Sequence, residues 1–277
     1  MSDQPIAVFD SGLGGLSVVR HLRRILPNEH LVYFGDTARV PYGSKSSRTV
    51  KSFALDVARY LLRFEPKLFV VACNTASALA IDELRSELPV SVVDVVAPGA
   101  RAVVDAGNGG PVAVIGTEAT IGSGAYPAAI RALKPELEVL AQACPLFVPL
   151  VEEGRSEDDP IVALTIANYL AAFRERGVKS LVLGCTHYPL LRAAIERFLG
   201  PHTIVIDSGE ATSREVARVL AAEGLLCRAS QPGSMRCYVS DNPKRFRSVG
   251  SRFLGHAIEH VEFVEPEEYV SQVAADA

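Results

Sequence analysis

No stretch of this 277-residue sequence is apolar for the roughly 20 residues that a membrane-spanning helix needs. Its first residues, Met1-Ser2-Asp3-Gln4-Pro5, lack the basic flank and apolar run of a secretory signal, so a cytoplasmic protein without membrane attachment is expected. Positive charge is not in excess either. With 28 Lys and Arg against 32 Asp and Glu, the net charge is −4, and nothing selects nucleic acid as a partner. A nucleotide fingerprint is also missing. The glycines of Asp10-Ser11-Gly12-Leu13-Gly14-Gly15 do not follow the Gly-x-Gly-x-x-Gly spacing, and no Walker lysine comes after them. No lysine sits in a setting that suggests a pyridoxal Schiff base, which favours a route without a cofactor. The five cysteines are odd in number and lack disulfide-type spacing, as in a reducing compartment. Cys185-Thr186-His187 could offer two metal ligands, but no third lies at zinc spacing, so no metal is expected.

What the sequence does contain is a repeated construction. The apolar Leu181-Val182-Leu183 runs into Gly184-Cys185-Thr186-His187-Tyr188, after which Pro189 opens a segment with helical periodicity. Earlier, Leu68-Phe69-Val70-Val71-Ala72 runs into Cys73-Asn74-Thr75 and another helical pattern. Both read as strand, tight turn and helix, the arrangement that forms ligand crevices at the carboxyl end of an open sheet. A free cysteine is most often a small buried hydrophobe, and that reading suffices for Cys144, Cys227 and Cys237. Cys73 and Cys185 differ because each has polar capping neighbours at a strand end. A thiol facing a helix N-terminus is expected to have a lowered pKa.

Buried strands alternate with helices along the chain, which makes it an α/β protein with mostly parallel sheets. Ile6-Ala7-Val8-Phe9 leads into Asp10-Ser11, and Val112-Ala113-Val114-Ile115-Gly116 leads into Thr117 in the same way. The two halves form a weak internal repeat, each ending in its own thiol. A composition break at Ala97-Pro98-Gly99 separates them. Residues 35–43 form a long loop at a strand's carboxyl end, where loops tend to carry function. A strand is expected over 137–141, and Glu152 directly ends the apolar run 145–151. The acidic tail 265–277 is expected to be frayed. Paired thiols on opposed lobes suit inversion of a carbon centre, in which one group removes a proton from one face while the other donates to the opposite face.

The segments Asp10-Ser11-Gly12-Leu13-Gly14-Gly15, 36–43, Ala72-Cys73-Asn74-Thr75-Ala76-Ser77-Ala78 and Gly184-Cys185-Thr186-His187-Tyr188-Pro189-Leu190-Leu191 together resemble bacterial glutamate racemases, over about residues 6–264. Related racemases share the paired cysteines but usually lack the Thr-His-Tyr-Pro-Leu continuation, so a racemase or isomerase of a related acid such as aspartate is the alternative. The resemblance implies two pseudo-symmetric, doubly wound lobes with the active site in the crevice between them. The first lobe would be discontinuous, 1–97 with 207–264, and the second would be 98–206. Cys73 and Cys185 would be the two proton-transfer groups, with Asp10 assisting Cys73 and His187, together with Glu152, assisting Cys185. Asp10, Ser11, Tyr42, Gly43, Asn74, Thr75, Thr186 and His187 would hold L- or D-glutamate. The resemblance further implies a homodimer that supplies D-glutamate for peptidoglycan. Some members carry an N-terminal extension linked to activation by a cell-wall precursor; with five residues ahead of the first strand here, that regulation is not expected.

Overall fold

Runs of Val, Ile, Leu and Phe with no polar interruption become strands buried on both faces, which parallel sheets flanked by helices require. In the computed structural model, which describes residues 3–107 and 109–270, the first half of the chain runs β1 (Ile6–Asp10), α1 (Leu16–Ile25), β2 (Leu31–Gly35), α2 (Ser47–Leu62), β3 (Leu68–Val71), α3 (Asn74–Glu87), β4 (Ser91–Asp94) and α4 (Val96–Asp105). It continues with β5 (Val112–Gly116), α5 (Glu118–Gly122), α6 (Ala125–Leu133), β6 (Val139–Ala143), α7 (Phe147–Glu152), α8 (Pro160–Glu175), β7 (Ser180–Gly184), α9 (Arg192–Leu199) and β8 (Ile204–Asp207). The last part is α10 (Ser208–Ala222), β9 (Met235–Val239), α11 (Pro243–Leu254), β10 (Val261–Phe263) and α12 (Pro266–Tyr269).

Two sheets result, ordered β10-β9-β2-β1-β3-β4 and β6-β5-β7-β8, and the strand pairs within them are parallel. In each half the first strand lies between the second and the third. The winding therefore reverses beside β1 and β3 in one sheet and beside β5 and β7 in the other. Ligands bind outside the carboxyl ends of strands at such reversals. Asp10 and the segment leading to Cys73 end β1 and β3; Thr117 and Cys185 follow β5 and β7. The internal repeat is thus a repeat of topology.

Several local expectations are revised. Ala97-Pro98-Gly99, the expected break, lies within the first turn of α4, where proline costs no hydrogen bond. The Asp94 carboxylate accepts there from the backbone N–H groups of Val96 and Ala97 at 2.7 and 2.9 Å. The strand expected at 137–141 begins two residues later, as β6. The expected fraying of the tail does not hold over 265–270. Glu265 and Glu268 form a capping box on α12, and Tyr269 is buried against Phe34; residues 271–277 lie outside the described part. The edge strand β10, three residues long, leaves no readable period in the sequence.

Candidate active site

The first thiol behaves as its sequence suggests in geometry but not in charge. Cys73 is the N-cap of α3, its sulfur accepting from the N–H of Ala76 at 3.5 Å and lying 3.5 Å from Ser11 Oγ. Burial nevertheless pushes the thiol up to about 12, and the nearby Asp10 carboxylate adds to the shift, while the capping N–H and Ser11 oppose it only in part. The expectation of a lowered value at this helix N-terminus is therefore wrong. Withdrawal from water outweighs the helix end, and Cys73 rests as a protonated thiol.

Cys185 is not at a helix N-terminus. A 3₁₀ turn, Tyr188–Leu191, separates it from α9. Pro189 has no N–H to donate to the carbonyl four residues back, which is that of Cys185; Tyr188 N bonds to it instead at 3.2 Å. The charge beside this thiol comes from a side chain. His187 Nδ1 lies 3.9 Å from Cys185 Sγ, and His187 Nε2 lies 3.0 Å from Glu152 Oε1. Burial lowers the His187 value, but the bonds to Cys185 and Glu152 outweigh it and raise the imidazole to about 10. Glu152 is held below the usual carboxylate range, first by its bond to His187 and also by Arg245.

Asp10 closes the wall behind Cys73. Its Oδ2 accepts from Gly12 N at 2.9 Å, Oδ1 is buried without a hydrogen-bond partner, and burial raises its value despite Gly12 and the His187 charge. The glycine loop then packs across to the second sheet. A Cβ on Gly14 would lie 2.3 Å from Thr186 Oγ1 and 2.6 Å from His187 Nδ1, so only glycine lets the two meet. Ser17 Oγ, in α1, donates to Thr186 O at 3.0 Å.

These contacts border a cavity of about 60 Å³ lined by Ser11, Tyr42, Gly43, Asn74 and Thr75 together with both thiols, and by Glu152, Thr186 and His187. Larger clefts of about 540 and 690 Å³ lie elsewhere and carry neither thiol. Asn74 Oδ1 accepts from Tyr126 Oη at 2.6 Å, which leaves its buried Nδ2 without a partner. Tyr42 reaches the wall, but its hydroxyl is spent on the buried Asp36 carboxylate. Sequence reasoning missed Gly12, Val40, Pro41, Thr117 and Val148, which also line the cavity. Thr117 had a signal, because the repeat places it where the first half has Asp10-Ser11. Its hydroxyl lies 3.0 Å from those of Thr75 and Thr120, a cluster made across the two sheets. Among the described residues, no group of three or more His, Cys, Asp and Glu side chains could hold a metal.

The family model described as Asp/Glu/Hydantoin racemase matches residues 7–216. The chain is 50% identical over 250 residues to the glutamate racemase of Geobacter metallireducens, covering 90% of this chain and 92% of that one. Its fold is similar to that of the Francisella tularensis glutamate racemase in complex with D-glutamate (TM-score 0.90, 39% identity, 97% of this chain and 100% of that one). It is also similar to a glutamate racemase isoform from Bacillus anthracis (TM-score 0.92, 36% identity, 96% and 98%).

Proposed function

This chain belongs to the Asp/Glu/hydantoin racemase family, and from that premise we infer that it interconverts L- and D-glutamate by two thiols and without a cofactor. The observation that carries the mechanism is that Cys73 and Cys185, from different sheets, line one cavity in unlike electrostatic settings. The substrate's α-carbon lies between them. In one direction Cys185 takes the α-proton beside the His187 imidazolium, whose charge is maintained by Glu152, while the Cys73 thiol delivers its proton to the opposite face. The roles exchange in reverse, with Asp10 assisting at Cys73. Each turnover moves one proton from carbon to one sulfur and one proton from the other sulfur to carbon.

Carboxylate binding falls to the free Asn74 amide, the hydroxyls of Ser11, Thr75 and Thr186, and the N–H groups at Gly43 and the start of α3. Tyr42 contributes its ring and backbone. The two lobes divide as 1–97 with 207–264 and 98–206, the first carrying Cys73 and the second Cys185. The enzyme acts in the cytoplasm as a homodimer and supplies D-glutamate for peptidoglycan, which is what its family resemblance supports. Among the described residues no helix is long and apolar enough to cross a membrane.

The test is incubation of purified protein with L-glutamate in D2O without pyridoxal phosphate, with L-aspartate in parallel. Loss of optical rotation with deuterium entering Cα of glutamate is expected. Absence of both inversion and exchange in glutamate would sink the assignment, and inversion of aspartate alone would move it to the related acid.

A further inference from the structure

The acid–base pair beside Cys185 is gripped from the other sheet's side. Helix α11, which connects β9 to β10 of the six-stranded sheet, reaches it at three points. Arg245 Nη2 donates to Glu152 Oε2 at 3.2 Å, Arg252 Nη1 donates to Val151 O at 2.9 Å, and Phe253 stands edge-on to the His187 ring with centroids 5.1 Å apart. Arg245 and Arg252 lie about two turns apart and so share one face of α11. The carbonyl that Arg252 meets is at the C-terminus of α7, the end where positive charge is favourable. Phe253 is fully buried in the same core as Cys185 and Tyr188.

Glu152 therefore uses both carboxylate oxygens, one on His187 and one on Arg245. The titratable and charged groups facing the pair are Cys185 from the loop after β7, Asp10 from β1 and Arg245 from α11. Of these, Arg245 is the cation, and Asp10 works against Glu152 ionisation.

We propose that Arg245 is a positioning residue for the Cys185 half of the reaction, holding the Glu152 carboxylate in the orientation that bonds His187 and aims the imidazole at the sulfur, so that this half-site is complete only when α11 is seated on α7. The proposal rests on the racemase reading given above. It assigns a task to a helix that does not line the cavity, and it makes the two proton-transfer sides unequal, since Asp10, beside Cys73, has only the Gly12 N–H on one oxygen and no hydrogen-bond partner on the other.

The experiment compares full-length wild type, Arg245→Gln and Arg245→Lys. It measures kcat/KM against pH, thermal melting, and primary isotope effects with Cα-deuterated L- and D-glutamate. Arg245→Gln should lower kcat/KM at neutral pH roughly two- to fivefold, the scale of one partly exposed ion pair. Without the guanidinium, Glu152 protonates at a higher pH, so the acid limb should move upward. Slowing only one proton transfer should raise the isotope effect for one enantiomer and lower it for the other. Arg245→Lys should restore the limb and most of the activity. An unchanged pH profile in Arg245→Gln, isotope effects that stay equal to wild type, or a loss that follows melting temperature and is shared by Arg245→Lys would each overturn the proposal. Wild type run alongside separates the two readings: if it fails to invert glutamate, the functional assignment falls and takes this inference with it.

Discussion

At Cys73 the loss of water and the negative field of Asp10 act in the same direction, and three weak donors do not reverse them. At Cys185 a buried imidazolium stands 3.9 Å away, supported by a carboxylate on its far side. A stabilised thiol on one side and a cation-backed sulfur on the other mean that neither residue can stand in for its partner. Cys73→Ser and Cys185→Ser should each lower racemisation by roughly 10²–10⁴-fold, the usual contribution of a positioned acid or base. The check is steady-state polarimetry in both directions; substantial activity in either variant would contradict two-sided transfer. Both thiols, Asn74, Thr75 and His187 were legible as lining one crevice, because their types at strand ends already point there. Arg245 and Thr117 were not. An arginine 93 residues from the glutamate it holds is, in sequence, one more solvated charge, and Thr117 gains its partners only once two sheets face each other.

Among the elements, strands were the easiest to read, because uninterrupted Val, Ile and Leu runs bounded by glycine and polar residues have few other uses. Short helices were harder. The apolar stretch that becomes α7 is six residues long, too short to display a helical period, and Pro189 diverts the turn after Cys185 into a 3₁₀ form. The loop between β1 and α1 is closely held on both sides. Gly12 O accepts from Tyr33 Oη at 2.8 Å, and Gly14 lies against Thr186 and His187. Gly14→Ala should therefore displace groups of the site itself. The expected cost is about 1–3 kcal/mol of stability, as for other overpacked positions, with a larger fractional loss in kcat/KM. Denaturant unfolding alongside kinetics measures both, and a variant with wild-type values in each would show that the loop yields easily.

For the molecule as a whole, the two sheets are joined through α1, α4 and α10. His21 Nε2, in α1, lies 3.0 Å from Asp207 Oδ2, and Asp207 both ends β8 and caps α10 through a 2.8 Å bond from Gly209 N. Burial pushes the Asp207 carboxyl upward, but His21 and the backbone donors outweigh it, leaving the value below normal. A carboxyl lowered in the folded state contributes stability that is complete above its unfolded value and is lost as pH falls through the folded one. Asp207→Asn should accordingly destabilise the protein by about 1–3 kcal/mol at neutral pH, the cost of a charged hydrogen bond. The difference from wild type should shrink below about pH 4, near the ordinary carboxylate value. Melting curves across pH 3–8 would reveal it, and a constant difference would show that charge at this junction is irrelevant.

The chamber that both sulfurs line, about 60 Å³, has room for a handful of water molecules, and its walls come from both sheets. Any movement of one half against the other changes its width, which couples the entry of reactant and the exit of product to that movement. That breathing belongs to a slower class of motion than proton transfer. If it limits the cycle, kcat should decline in proportion to solvent viscosity when sucrose is added. A turnover number indifferent to viscosity would instead place the slow event in the chemistry between the sulfurs.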